Sequence, residues 1–268
     1  MNVRKVRLAG LGALLAVGAV TAGGCGVADT VREAASPPPK TPEDRLLEAL
    51  PDFATGPFHF TVKGGTEPVS GVLDAAKKSY RLDFSQKDAE LGFTLTMKFL
   101  VVADRSWIKI GFTGTRDLAG FPKLPKKWML VDPSKLEDAE DAPLSYDDKT
   151  DPGEAGAVLR AIVDVEETGP GRYEGATDLT RQGEDAGIVE DATLKALGDR
   201  AKAVPFEATV DGQGRLTRTV VKIPATGKTK AATYEVIYDG YGATASPSEP
   251  AADEQLMAPK AAYEMLNA

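Results

Sequence analysis

From about residue 58 onward the chain alternates apolar and polar residues, the period of a half-buried strand. In "PFHFTVKG" Phe58, Phe60 and Val62 share one face and His59 takes the other, and "SYRLDFSQ" repeats the pattern with Tyr80, Leu82 and Phe84. The longest run, "GFTLTMKFLVVAD", sets Phe93, Leu95, Met97, Phe99 and Val101 against Thr94, Thr96 and Lys98. "SWIKIGFTG" and "KKWMLVDPSKL" add two further strands, each with a tryptophan. An acidic, proline-broken connector comes next, "LEDAEDAPLSYDDKTDPGEAG", and the alternation then resumes. The pattern predicts a short helical stretch near "AGAVLRAIVDV", a strand in "GRYEGATDLTR" and a helix in "VEDATLKALGDRAKA" ending near Gly198. Two strands in "VPFEATVDGQGRLTRTVVKIP" turn at Asp211 to Gly214, and "ATYEVIYDGYG" closes the block with Tyr234, Val236 and Tyr238 on one face. Ahead of all this, "TPEDRLLEALPDF" predicts an amphipathic helix with Thr41 as N-cap and Pro42 at the first helical position.

About ten or eleven mostly antiparallel strands with few helices predict an α+β domain over residues 41–245. The expected architecture is one strongly curved antiparallel sheet whose helices pack on a single side. Its inner face would carry Phe58, Phe60, Tyr80, Leu82, Phe84, Phe93, Leu95, Met97 and Phe99. Two readings of these residues stand side by side: a packed core, or the walls of an apolar ligand site. Residues 246–268 are small and proline-broken before a short helical tip, and read either as an unstructured tail or as a tip docked on the rim.

The N-terminal residues obey a different rule. "MNVRKVR" is basic, "LAGLGALLAVGAV" is apolar but too short to span a bilayer, and Ala22, Gly23 and Gly24 are small. That is the tripartite plan of a secretory signal, over residues 1–24. The sole cysteine, Cys25, stands at its end, and one cysteine closes no intrachain disulfide, no CxxC pair and no thiolate zinc cage. "TAGGC" resembles the lipobox of bacterial prolipoproteins. The resemblance implies lipidation of Cys25 on sulfur, with diacylglyceryl chains such as palmitate, and cleavage before it. Each buried methylene contributes about 0.8 kcal/mol, so two chains hold a protein on its membrane. Residues 25–40, small, polar and proline-rich, then form a flexible tether. The expected location is extracytoplasmic, lipid-anchored to the cell membrane.

The net charge is −8, and setting aside Arg4, Lys5 and Arg7 leaves 29 basic against 40 acidic residues, a balance of −11. Such a surface is repelled by phosphates and by anionic headgroups, which argues against a nucleic-acid partner and against membrane docking through a basic patch. No GxSxG, HExxH, Walker A or GxGxxG pattern occurs. With His59 as the only histidine, expected at solvent, neither a His-based triad nor a transition-metal site is in reach, and no cofactor is expected. Carboxylates are plentiful, but no spacing selects a hydrolytic pair. "DDKTDPGE" places Asp147, Asp151 and Glu154 near calcium-loop spacing, yet Lys149 takes a ligand position and Pro152 stands where glycine is wanted, so a solvated loop is expected.

The order of these elements is similar to that of the LolA-like lipoproteins of actinobacteria, the group of the LppX and LprG type carriers. The features that carry the likeness are the lipobox and tether, "GPFHFTVKGG", "SGVLDAAKKSYRLDF", the long alternating strand, "WIKI", "KKWMLVDPSKL" and the closing "VPFEATVDGQGRLTRTVVKIP" with "YEVIYDGYG". The resemblance implies a β half-barrel with helices across its concave face and a cavity between them that holds a lipid or other apolar molecule for transport. It implies no catalytic residues. Related domains serve instead as envelope sensors that bind a protein partner, so a protein-interaction role is the alternative expectation, and a carboxylate hydrolase a more distant one.

Overall fold

The structure, a computed structural model, describes residues 39–65, 68–115, 120–137, 143–181, 188–227 and 229–267. The chain divides into Met1–Pro39 and Lys40–Ala268. The signal, Cys25 and nearly all of the tether lie outside the described residues. Every described helix and strand belongs to the second unit.

The first helix, α1 (Pro42–Glu48), begins as its sequence predicts. The Thr41 hydroxyl accepts from the Asp44 amide at 3.1 Å, and the Asp44 carboxylate accepts from the Thr41 amide at 3.0 Å, a reciprocal capping box. Six strands come next: β1 (Phe58–Lys63), β2 (Val69–Asp74), β3 (Ser79–Lys87), β4 (Thr94–Val102), β5 (Arg105–Thr113) and β6 (Trp128–Leu130). Helix α2 (Ala155–Arg160) then leads into β7 (Ile162–Gly169) and β8 (Arg172–Thr177), and α3 (Asp191–Leu197) into β9 (Val204–Val210), β10 (Leu216–Ile223) and β11 (Ala232–Asp239). The chain closes with β12 (Gln255–Met257) and α4 (Lys260–Leu266).

All twelve described strands form one sheet in the order β12-β6-β5-β4-β3-β2-β1-β11-β10-β9-β8-β7. Its ends do not pair with each other, so the sheet is open. Within β1 to β6 and within β7 to β11 successive strands pair antiparallel, and β1 joins β11 to link the two meanders, with Phe60 opposite Tyr238. Among the described strands only β12 runs parallel to its neighbour, β6. The protein is therefore an α+β fold built on a large, mostly antiparallel open sheet.

The short helical stretch expected near "AGAVLRAIVDV" forms as α2 and ends at Arg160, because Ile162, Val163 and Val165 are β-branched and favour the extended strand β7. One expectation is corrected. The folded unit does not stop at residue 245. After β11 the chain is tied to successive strands: Ser246 donates to Asp74 at 2.6 Å, Glu249 pairs with Arg105 at 2.5 Å, and the Trp107 indole donates to Gln255 at 2.8 Å. Strand β12 then extends the sheet, and α4 buries Ala262 and Tyr263. Of the two readings open for the tail, the docked one holds.

The apolar face of the sheet carries two core clusters. One gathers Phe58, Phe60, Phe206, Val221, Val236 and Tyr238 under α1 and α2, whose Leu46, Val158 and Leu159 are fully buried. The other gathers Phe99, Ile108, Ile110 and Met129 under α4. Both clusters lie within Lys40–Ala268, so that unit carries its own core.

Candidate functional site: an apolar cavity between sheet and loop

Between the two clusters lies a cavity of about 620 Å³. Its floor is the alternating face of β1 to β4: Phe60, Val69, Leu73, Tyr80, Leu82, Phe84, Met97 and Phe99. The register explains the grouping, since Leu82 pairs with Phe99 and Phe84 with Met97. A missing side chain contributes too. Opposite Phe60 stands Gly71, where a Cβ would lie 2.8 Å from the Phe60 ring and 2.0 Å from the Arg81 carbonyl, so only glycine lets that ring lie against the strand.

The facing wall is the connector, through Pro143, Ser145, Tyr146, Asp147, Lys149 and Pro152. Three phenols hold it over the sheet. Tyr80 donates to the Ser145 carbonyl at 3.2 Å, Tyr234 to the Gly153 carbonyl at 2.7 Å, and Tyr238 to the Asp151 carboxylate. Burial raises the pKa of all three well above the ordinary phenol value, with Asp147 adding to it at Tyr80 and Asp151 at the other two. They therefore stay protonated donors across the neutral range. Asp151 also accepts from the Gly156 amide at 2.6 Å and the Ala155 amide at 3.3 Å, so one carboxylate anchors both the loop and the first turn of α2.

Among the lining residues Lys149 carries the one ammonium. It sits 3.4 Å from Glu154 and 3.7 Å from Asp147. Partial burial opposes its charge, but the two carboxylates outweigh burial and raise its pKa. Burial raises the Glu154 carboxyl, against the pull of Lys149. The site thus offers a long apolar floor and a polar wall whose hydrogen bonds are internal.

Six of the sequence-expected residues come together here: Phe60, Tyr80, Leu82, Phe84, Met97 and Phe99. Three do not. Phe58 shares their face but packs on Tyr238, with ring centroids 5.4 Å apart, and on Tyr241 at 5.3 Å. Leu95 packs against the second cluster. Phe93 lies beyond the floor with Phe121 at 5.0 Å and Phe112 at 6.4 Å. Alternation assigns a face but not a position along it, and so cannot separate these three from the rest. Sequence reasoning missed Val69, Leu73 and the whole loop wall. Tyr146 and the prolines inside an acidic connector were the available signal, since a solvated linker has little use for them.

The stretch read against a calcium loop uses its acids otherwise: Asp147 and Glu154 on Lys149, Asp148 on Lys78 at 3.7 Å, Asp151 on Tyr238 and α2. Among the described residues no group of three or more His, Cys, Asp or Glu side chains is placed to hold a metal ion. His59 is exposed on the opposite face of β1. No protein-family model matches the chain, and no curated protein matches it.

Proposed function

We propose that this protein is a membrane-anchored lipoprotein that binds a lipid or other apolar molecule in the cavity between sheet and loop, and carries or stores it without catalysis. The observation that carries the reading is the 620 Å³ cavity with a floor of aromatic and aliphatic side chains. Ligand pockets usually run from about 300 to 1,000 Å³ with mostly apolar walls and a few polar groups. The lipobox-like "TAGGC" supports an anchor at Cys25, which would hold the cavity within reach of the ligand's source. In this reading the sheet is the half-barrel of a LolA-like fold, with the cavity on its concave side. The twist natural to a sheet of this width supports that curvature.

The mechanism needs burial alone. A chain that buries about 300 Å² of apolar surface gains roughly 7 kcal/mol relative to water. Relative to a bilayer the gain is small, because both surroundings are dry. Transfer is then close to neutral and reversible, as a carrier requires.

The test is native mass spectrometry with organic extraction on Lys40–Ala268, exported behind a cleavable secretory signal in its own cells and purified without detergent. A near-stoichiometric lipid supports the reading and names the ligand class. A bare mass, unchanged after incubation with lipid vesicles, refutes it and favours an envelope sensor or protein-interaction role on the same fold. Cys25→Ala is expected to release the full chain into the soluble fraction, and persistence in membranes would refute the anchor.

A further inference from the structure

The two edges of the sheet differ. One is β12, three residues long; the other is β7, eight residues long and paired on one side alone, with β8. Between two register shifts, residues 164–167 pair without interruption with residues 173–176, so this stretch presents regular strand geometry on its outer side. Among the described residues no backbone hydrogen bond outside the β7–β8 ladder engages Ile162–Gly169, and Val163 stands 54% exposed at the first shift. A long edge of unpaired amides and carbonyls is a template for one more strand.

The register also fixes the charge beside that edge. On the face opposite the core, Glu166 of β7 lies across from Glu174 of β8, and Glu174 from Glu207 of β9. Asp164 shares the face, two residues along β7 from Glu166. Directly opposed like charges destabilise a sheet. Further along this face the carboxylates are answered: Glu207 by Lys222 and, at 3.8 Å, Arg218, Glu235 by Arg218 and Lys63, and Asp83 by Arg81 and Lys98. Asp164, Glu166 and Glu174 are exposed and make no ion pair among the described residues, not even with Arg172 on the same face of β8. Charge that only discouraged aggregation would sit on β7 itself. Here the row continues onto β8, where it costs stability without guarding the edge.

A free strand edge flanked by uncompensated carboxylates matches one occupant, an extended cationic segment of another protein. We propose that β7 is a docking edge that receives such a segment as an added strand. Lysine or arginine at alternate positions would stand opposite Asp164 and Glu166, with an apolar residue between them opposite Val165, whose side chain packs against the core. Glu174 deepens the negative field behind them. A second copy of this chain is a poor fit, because pairing β7 with β7 would bring the same carboxylates together. Strands β8 to β11 separate this edge from the cavity floor on β1 to β4, so the docking stands whether or not the cavity holds a lipid.

The test is fluorescence anisotropy of Lys40–Ala268 with a short labelled peptide of alternating lysine and valine, followed by amide exchange of the bound protein. Binding at low salt that weakens at high salt is expected, with slowed exchange confined to β7. Glu166→Gln and Asp164→Asn should each weaken binding about two- to fivefold without lowering the urea midpoint. Asp104→Asn, in the exposed turn between β4 and β5, should not weaken it. The same peptide N-methylated along its pairing edge keeps its charge but cannot join a ladder, and should bind about tenfold more weakly. Wild-type protein that ignores the peptide, an N-methylated peptide that binds as well, or Glu166→Gln protein that binds like wild type overturns the proposal. So does slow exchange at the outward β7 amides of the free protein, because the edge would then already be covered, by the chain itself or, if the protein sediments as a dimer, by a second copy.

Discussion

Replacing Tyr238 with Phe tests how the cavity is walled. The Tyr238 side chain is 1% exposed, and its ring packs edge-on against Phe58 at an interplanar angle of 81°, a contact that Phe keeps. The substitution removes one hydrogen bond, from the phenol to Asp151. A bond to a charged acceptor contributes about 1.5–3 kcal/mol. Asp151 retains the Ala155 and Gly156 amides, so the acceptor is not stranded and the cost should lie near the lower end, about 2 kcal/mol. With a urea m-value of about 2–3 kcal/mol/M, the unfolding midpoint should fall by about 0.7–1 M. The comparison that isolates the bond is a double-mutant cycle with Asp151→Ala. In that background Tyr238→Phe should cost almost nothing, since the hydroxyl has already lost its partner. Faster amide exchange at Gly156 should accompany the single change. A Tyr238→Phe midpoint within about 0.2 M of wild type at unchanged m, or an equal cost in both backgrounds, would refute the claim that this bond pins the loop.

Met97→Trp has the cavity beside it to fill and should reduce extractable lipid with the smaller loss of stability, whereas Leu95→Trp, packed against the same cluster but outside the cavity lining, should destabilise by about 1–3 kcal/mol; the reverse order in a urea titration would show that the floor is misplaced. Glu235 is partly buried, which alone would raise its pKa, but hydrogen bonds from Arg218 at 2.7 Å and Lys63 at 3.1 Å outweigh burial and lower it. Its stabilising contribution is present above the ordinary value of 4.5 and fades as the pH falls through the lowered pKa, so Glu235→Gln should reduce the urea midpoint at pH 7 and make little difference at about pH 2.5. An equal reduction at both pH values would refute the ionic account. Gln255→Ala should strand the buried Trp107 N–H and cost about 1–3 kcal/mol, read by thermal unfolding; an unchanged midpoint would mean that the C-terminal strand is not held by this bond.

Much of the strand pattern was legible because it is local. Phe58, Phe60 and Val62, or Tyr80, Leu82 and Phe84, must share a face once the backbone is extended. The end of the short helix α2 was not legible, because "VLRAIV" satisfies both periods over a few residues and only pairing with β8 decides the strand. The cavity floor was half legible for the same reason. Leu95 and Met97 are equivalent by alternation and both pack against the second cluster, and that Met97 also lines the hollow while Leu95 does not depends on what another segment places above each.

The sequence by itself determined the alternating faces, the Thr41 cap, the turn at Asp211 to Gly214 and the signal-like start ending at Cys25. Each of these depends on a residue and its near neighbours. Only the tertiary structure decided that the acidic connector would become a wall held by Tyr80, Tyr234 and Tyr238, and that the C-terminal residues would form β12 and α4. The same holds for Glu174, set opposite Glu207. These outcomes rest on partners tens to well over a hundred residues apart in the chain, such as Gln255 with Trp107 or Tyr238 with Asp151, whose contacts no local period encodes.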